Sequence, residues 1–327
     1  MIIAFSGKIH SGKDTAARIV QYLTASYHGE LVRDHETFEQ YISNIGYQEE
    51  WEVKRFAGKL KQIISILTGI PVEDLEKEEI KNSFLPEEWS RWYISINGER
   101  HNVVYASKEQ AEPDYKIFRA IDGKIELLEE RLTVRKLLQL LGTEAMRDVI
   151  HPNVHINALF SDYKATSNTI VKGEFWEGEV GNSRILNLEL STNSSEYWNK
   201  YRGREKNVNH FTTSGIYPKW LITDLRFPNE NTACGIRKAT RIRINRPIKH
   251  RFPELWNTLM SNEKELTEYV FLQKLKEYDI EFYKKLTHYS ETALDDCKDL
   301  EYDVDNDGTL EDLVNKIKEI LKEIKVI

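Results

Sequence analysis

The sequence predicts an α/β fold, a parallel sheet with helices on both faces, and three observations carry that prediction. A short apolar run at 2–5 passes through a glycine-bearing turn into an apolar-periodic stretch. Strand-type and helix-type runs then alternate along the chain once two polar, turn-rich stretches are set aside, as strand–helix–strand crossovers require. The C-terminal stretch repeats the theme: a short strand, a turn and an amphipathic helix.

The first element is the strand Ile2–Phe5, followed by a helix whose buried face is Ala16, Ile19, Val20 and Leu23. Between them lie Gly7, Gly12 and Lys13, spaced as G-x-x-x-x-G-K. Strand, glycine loop, lysine and helix form the context of a phosphate-binding loop. Two glycines let successive N–H groups converge on one anion, and the helix start adds unpaired N–H groups and a positive dipole end. Lys13 adds a point charge for the distal phosphates. The pattern wants Ser or Thr after the lysine to reach Mg²⁺, whereas this chain has Asp14 and then Thr15. Either Asp14 holds the metal through water, or Thr15 meets a phosphate and the metal is held elsewhere. A glycine turn that binds nothing is the plain alternative.

The chain has 327 residues, 40% hydrophobic and 30% charged, which suits a globular protein with a full core. A net charge of −7 offers no global field for nucleic acid. No run is long enough to span a bilayer, and no signal peptide is legible at the start. Cys234 and Cys297 are too few for a disulfide framework and read as packing residues, so a cytoplasmic, reducing setting is expected.

Beyond the first helix, 28–50 is polar and has no assigned role. A short strand is expected at 53–57, then a helix with Leu60, Ile63, Ile64 and Leu67, stopped by Gly69 and Pro71. Lys59 and Lys61 stand in its first turn, against the dipole, answering either an anion or solvent. The acidic stretch 73–92 reads as helical. Strands are expected at 93–96, 103–105 and 115–121, with turns at Asn97-Gly98 and Asp122-Gly123, so 93–127 reads as an inserted hairpin or small sheet.

Over 132–160 the pattern is helical again, with Thr133 as cap and Gly142 as stop. Arg135 and Lys136 sit in the first turn and hint at an anionic ligand. His151 and His155 are four apart, but Pro152 intervenes and no third ligand is evident, so a metal there is rejected. The second insertion, 161–216, has a strand at 185–190 and a basic patch of Lys200, Arg202, Arg204 and Lys206 beside Trp198 and Tyr201. A solvated loop suits that patch better than single-stranded nucleic acid.

A buried-type strand at 220–223 ends in Asp224, and Arg226 follows on the turn. At the carboxyl end of a parallel strand, both point into the ligand crevice or form a structural ion pair. Another strand is expected at 240–245, with Arg241, Arg243 and Arg246 around it. The charged helical stretch 249–287 reads as a lid or side arm. Asp303, Asp305 and Asp307 imitate a calcium loop, but position twelve is Val314 rather than Glu, so the reading is rejected. A turn at Asn306–Gly308 and a helix capped by Thr309 with Asp312 at its third position fit better.

The blocks Ser11-Gly-Lys-Asp-Thr15, Val134-Arg-Lys-Leu-Leu-Gln-Leu-Leu-Gly-Thr143, Ile222-Thr-Asp-Leu-Arg226 with Glu230, and Asn306-Asp-Gly-Thr-Leu-Glu311 occur in one order. In that order they resemble the phage deoxynucleoside monophosphate kinases, over roughly 1–85, 130–160, 219–247 and 288–325. The resemblance implies a P-loop kinase fold, here with insertions at 93–127 and 161–216, and transfer of the ATP γ-phosphoryl group to a deoxynucleoside monophosphate with Mg²⁺. It implies an ATP site of Gly7, Lys8, His10, Ser11, Gly12, Lys13, Asp14 and Thr15, with Asp14 toward the metal. It implies an acceptor site of Lys61, Arg135, Gly142, Thr143, Asp224, Arg226 and Glu230. His155 stands where the family has Trp after L-G-T, the position tied to base stacking. Lys13, Arg135, Asp224 and Arg226 would carry the chemistry. Two other readings stay open: a P-loop kinase for another small phosphorylated acceptor such as phosphomevalonate, and a nucleotide-binding adaptor. Expected partners are the monophosphate substrate and no membrane, with nucleic acid disfavoured and a homodimer left open.

Overall fold

A computed structural model describes residues 1–120, 123–177, 182–190 and 208–327. The chain divides into two compact units, Met1–Phe56 with Leu159–Ile327, and Ala57–Ala158. The basic patch at Lys200, Arg202, Arg204 and Lys206, with Trp198 and Tyr201, lies outside the described residues, as does Asp122.

The first unit is built on a five-stranded sheet of β1 Ile2–Ser6, β2 Trp51–Lys54, β3 Lys219–Leu225, β4 Thr240–Asn245 and β5 Tyr302–Asp305. All pairings are parallel and the spatial order is β2-β3-β1-β4-β5. The two central strands β1 and β3 read as near-continuous apolar runs because a parallel sheet is covered on both sides there. Ile3 and Phe5, with Leu221, Ile242 and Ile244, pack into one core with α1 Lys13–Thr24 and α3 Leu310–Glu323. Side-chain alternation turns Trp220 to the opposite face, where its ring meets Phe160 and Tyr163. The cap on α3 forms as its residues predict: Thr309 accepts from the Asp312 N–H and Asp312 reaches back to the Thr309 N–H.

The order of the strands places the ligand crevice. The chain leaving β1 travels past β3 to β2, while the chain leaving β3 crosses β1 to reach β4 through α2 Pro228–Ile236. Connections therefore diverge between β1 and β4, and a crevice opens beyond their carboxyl ends. The stretch expected as a lid or arm forms helices Ile248–Arg251, Pro253–Met260, Glu268–Tyr278 and Ile280–Leu286 around their own apolar cluster, onto which Ile9 of the loop packs. Strands Thr166–Glu177, Asn182–Leu190 and Val208–Ile216 form an antiparallel sheet, so the strand expected at 185–190 belongs to a longer one.

The second unit gathers helix Gly58–Thr68, closed by Gly69 at φ 74°, with Leu60, Ile64, Leu75, Leu85, Leu132, Val134 and Leu137 in one core. An antiparallel sheet of Glu99–Tyr105, Arg91–Ile96 and Ile125–Glu130 joins it, with Arg91–Ile96 in the centre.

Several expectations are corrected. Residues 73–92 are not one helix but the short helical segments Asp74–Glu76, Glu78–Asn82 and Glu87–Trp89, because Lys77 is extended and Pro86 forbids helical continuation before it. The strand expected at 115–121 is helix Lys108–Phe118: Ser107 caps it through the Gln110 N–H and Ala111 is buried. The third strand is Ile125–Glu130 instead. The strand expected at 53–57 lies at Trp51–Lys54, and Asp224 sits inside β3 rather than beyond it. Gly142 does not end its helix. Helix Val134–Gln139 runs on as the π-helical Leu140–Ile150, ending where the His151 N–H reaches the Met146 carbonyl.

Candidate functional site

Beyond the carboxyl ends of β1, β3, β4 and β5, the first unit encloses a cleft of about 390 Å³. Gly7 and Lys8 follow β1, Arg226 follows β3, Asn245 and Arg246 end β4, and Asp305 ends β5. A cleft at a divergence of parallel strands is a default ligand site.

Ser6, Gly7 and Lys8, which open the loop that runs on to Lys13, line it. Gly7 has φ 142°, and a Cβ there would collide with the Ile244 carbonyl oxygen. Gly12 has φ 101° and caps α1. His10, at φ 60°, takes a left-handed conformation that side chains resist, and its ring rests on Phe252 at 5.1 Å. Such strain persists where surrounding structure holds it, often at functional sites. The Ser11 hydroxyl is buried without a hydrogen-bond partner among the described residues. An orphaned buried donor in a loop of this kind suits a ligand oxygen.

Lys13 opens α1 and folds back over the loop, its Nζ donating to the Lys8 carbonyl at 2.9 Å. The side chain is buried. Burial pushes its pKa down to about 8, and the nearby Arg226 charge adds to the depression, against Glu291, Asp14 and Asp224. An ammonium held at that cost is poised for an incoming anion.

The remaining first-unit candidates lie on α1, β3, α2 and the turn between the last two. Asp14 is exposed and pairs with Arg55 at 3.0 Å, while Arg55 also donates to Thr223. Thr15 is half-buried on α1. Asp224 accepts the Phe56 N–H at 2.9 Å. Glu230 is buried and accepts the N–H groups of Arg226 and Phe227 at 2.9 and 3.1 Å, so it shapes the turn that carries Arg226. The Arg226 guanidinium donates to Glu291 at 2.6 Å.

Lys61, Arg135, Gly142, Thr143 and His155 belong to the second unit. Lys61 pairs with Glu76, and Arg135 with Glu78 and Asn82. Gly142 is buried and Thr143 exposed, both within the π-helical segment, a geometry frequent at functional sites. The His155 ring is buried and its Nε2 lies 2.9 Å from the Gly142 carbonyl oxygen.

Sequence reasoning missed four residues that shape the cleft. Glu291 lies in a stretch given no role beyond the span of the resemblance, and Asn306 in one singled out only as a motif ending and a turn. Arg251 is buried, lines the cleft and leaves its Nε without a partner among the described residues. Arg243 donates to the carbonyls of Leu294 and Cys297 and anchors that strand to the cleft wall. The arginines around β4 were the available signal, but charge periodicity does not say which one turns inward.

Among the described residues no cluster of three or more His, Cys, Asp or Glu is placed to hold a metal, and no helix is long and apolar enough to cross a membrane. Compared with known proteins, the chain matches no family model and no curated protein.

Proposed function

We propose that the chain is a P-loop kinase that transfers the γ-phosphoryl group of ATP to a deoxynucleoside monophosphate, giving the diphosphate and ADP. The observation that carries the reading is the loop from Ser6 to Lys13. It lies at the divergence point of the sheet, strained at His10, with Lys13 buried and folded over it. Backbone N–H groups and a buried ammonium at a helix start are the parts that bind the phosphates of a nucleotide.

The acceptor phosphate is already a nucleophile, so positioning and charge neutralisation supply the rate and no strong base is required. Lys13 and the loop N–H groups hold the donor phosphates. Arg226 presents a planar fork suited to a phosphate, on a turn fixed by Glu230. The family resemblance adds Arg135 as a second acceptor clamp, and Asp224 would orient Arg226 or a metal-bound water. Asp14 and the Thr15 hydroxyl are hard oxygen donors beside Lys13, which suits Mg²⁺ bound by few protein ligands together with phosphate oxygens. Such an ion would supply positive charge to neutralise the phosphate oxygens.

A coupled ADP-release assay across all deoxynucleoside and nucleoside monophosphates tests the reading. Release that depends on one or a few deoxynucleoside monophosphates supports it. Release that answers another phosphorylated acceptor replaces the substrate and keeps the fold-level reading. Slow turnover that no acceptor stimulates favours an adaptor.

A further inference from the structure

Three cations of the cleft are each met by a carboxylate from the stretch 268–295. Lys8 pairs with Asp295 at 3.2 Å, Arg251 with Glu268 at 3.1 Å and Arg226 with Glu291 at 2.6 Å. Glu291 reaches deepest, with its side chain 7% exposed. Its second oxygen accepts the backbone N–H of Ile9, inside the glycine loop, at 2.6 Å. One carboxylate thus bridges a loop N–H and a guanidinium, the two donor types that take a phosphoryl oxygen.

We propose that Glu291 occupies the oxyanion subsite of the loop, formed by the Ile9 N–H and Arg226, and that a ligand phosphoryl group binds there by displacing it. The proposal rests on the reading of the loop as a phosphate site. Glu291 stands on the four-residue helix Tyr289–Thr292, so its withdrawal disrupts little regular structure. A phosphate brings more oxygens and more charge than a carboxylate, and it meets Lys13 as well. While Glu291 holds the subsite, only the fraction of molecules with it withdrawn can bind, and the apparent affinity falls by that fraction. The carboxylate keeps loop and guanidinium satisfied between ligands and sets a threshold that weak monoanions do not pass.

The test is calorimetric titration of the full chain with inorganic pyrophosphate, comparing wild type with Glu291→Gln and Glu291→Ala. Displacement predicts that Kd falls about tenfold or more in both variants, because the internal competitor is gone. An unchanged or raised Kd, or no pyrophosphate binding in any form, overturns the proposal. Should the variants fail to fold, wild-type protein labelled at isoleucine decides. Saturating pyrophosphate must move the Ile9 amide resonance, assigned with Ile9→Val, and a resonance that stays in place overturns the proposal. The readout is pyrophosphate binding alone. Missing acceptor-dependent ADP release would therefore count against the kinase reading and leave the subsite standing, and an unmoved Kd would do the reverse.

Discussion

The side-chain amide of Asn306 donates to the carbonyl of Ser11 at 2.8 Å, across 295 residues of sequence. The bond is buried, and it ties the glycine loop to the turn after the last strand of the sheet. Gly12 has no room for a side chain for the same reason, since a Cβ would stand 2.5 Å from the Asn306 amide nitrogen. The loop is held from outside as well as by its own glycines.

Asn306→Ala should leave the Ser11 carbonyl buried and unpaired, costing about 1–3 kcal/mol of stability. Urea unfolding measures the loss, and nucleotide affinity should weaken with it. A variant as stable as wild type would show that the bond is incidental.

Lys13→Ala should lower kcat for phosphoryl transfer by about two orders of magnitude or more, with the fold retained by circular dichroism. Near-normal turnover would remove Lys13 from the chemistry.

The depressed pKa of Lys13, from 10.5 to about 8, carries two pH signatures. Between those values the unfolded chain holds the extra proton, so folding stability rises with pH across that window. Relative to Lys13→Met, wild type should gain up to about 3 kcal/mol from pH 8 to 10.5, at about 1.4 kcal/mol per pKa unit. Polyphosphate affinity should move the other way, falling above pH 8 as the free protein loses the ammonium. Calorimetry in buffers of different ionisation enthalpy would then detect proton uptake on binding.

Arg226→Ala should raise KM for the acceptor more than KM for ATP, by about 1.5–3 kcal/mol in kcat/KM. Arg226→Lys keeps a cation opposite Glu291 and loses the planar fork, so it should hold Tm while the acceptor defect persists. Equal loss toward both substrates would make Arg226 structural.

Gly142→Ala tests the second unit. A Cβ at 142 would stand 2.7 Å from a Leu60 methyl carbon, so the variant should lose about 1–3 kcal/mol by overpacking. Leu60→Ala in the same chain should recover part of that loss, and a double-mutant cycle measures the coupling. Strict additivity would show that the close approach is not what the glycine serves.

The loop, the order of elements and the alternation of strand and helix were legible in the sequence, because local chemistry decides them. Gly7, Gly12 and Lys13 have the spacing that a bend over an anion needs, Thr309 and Asp312 cap each other within one turn, and β4 lies at the residues its β-branched run marks out. Local pattern failed where a distant neighbour decides. Gly142 reads as a helix stop, and only the approach of Leu60 reveals a packing position inside a continuing helix. Tyr115, Ile117 and Phe118 read as a strand until the Ser107 cap commits them to a helix. The partners of the loop were out of reach for a similar reason. Asn306 and Glu291 meet it only because a parallel sheet gathers the carboxyl ends of strands far apart in the chain. The amino-acid sequence determines the glycine-and-lysine spacing of the loop, whereas the crossover order of the sheet decides which distant side chains meet it.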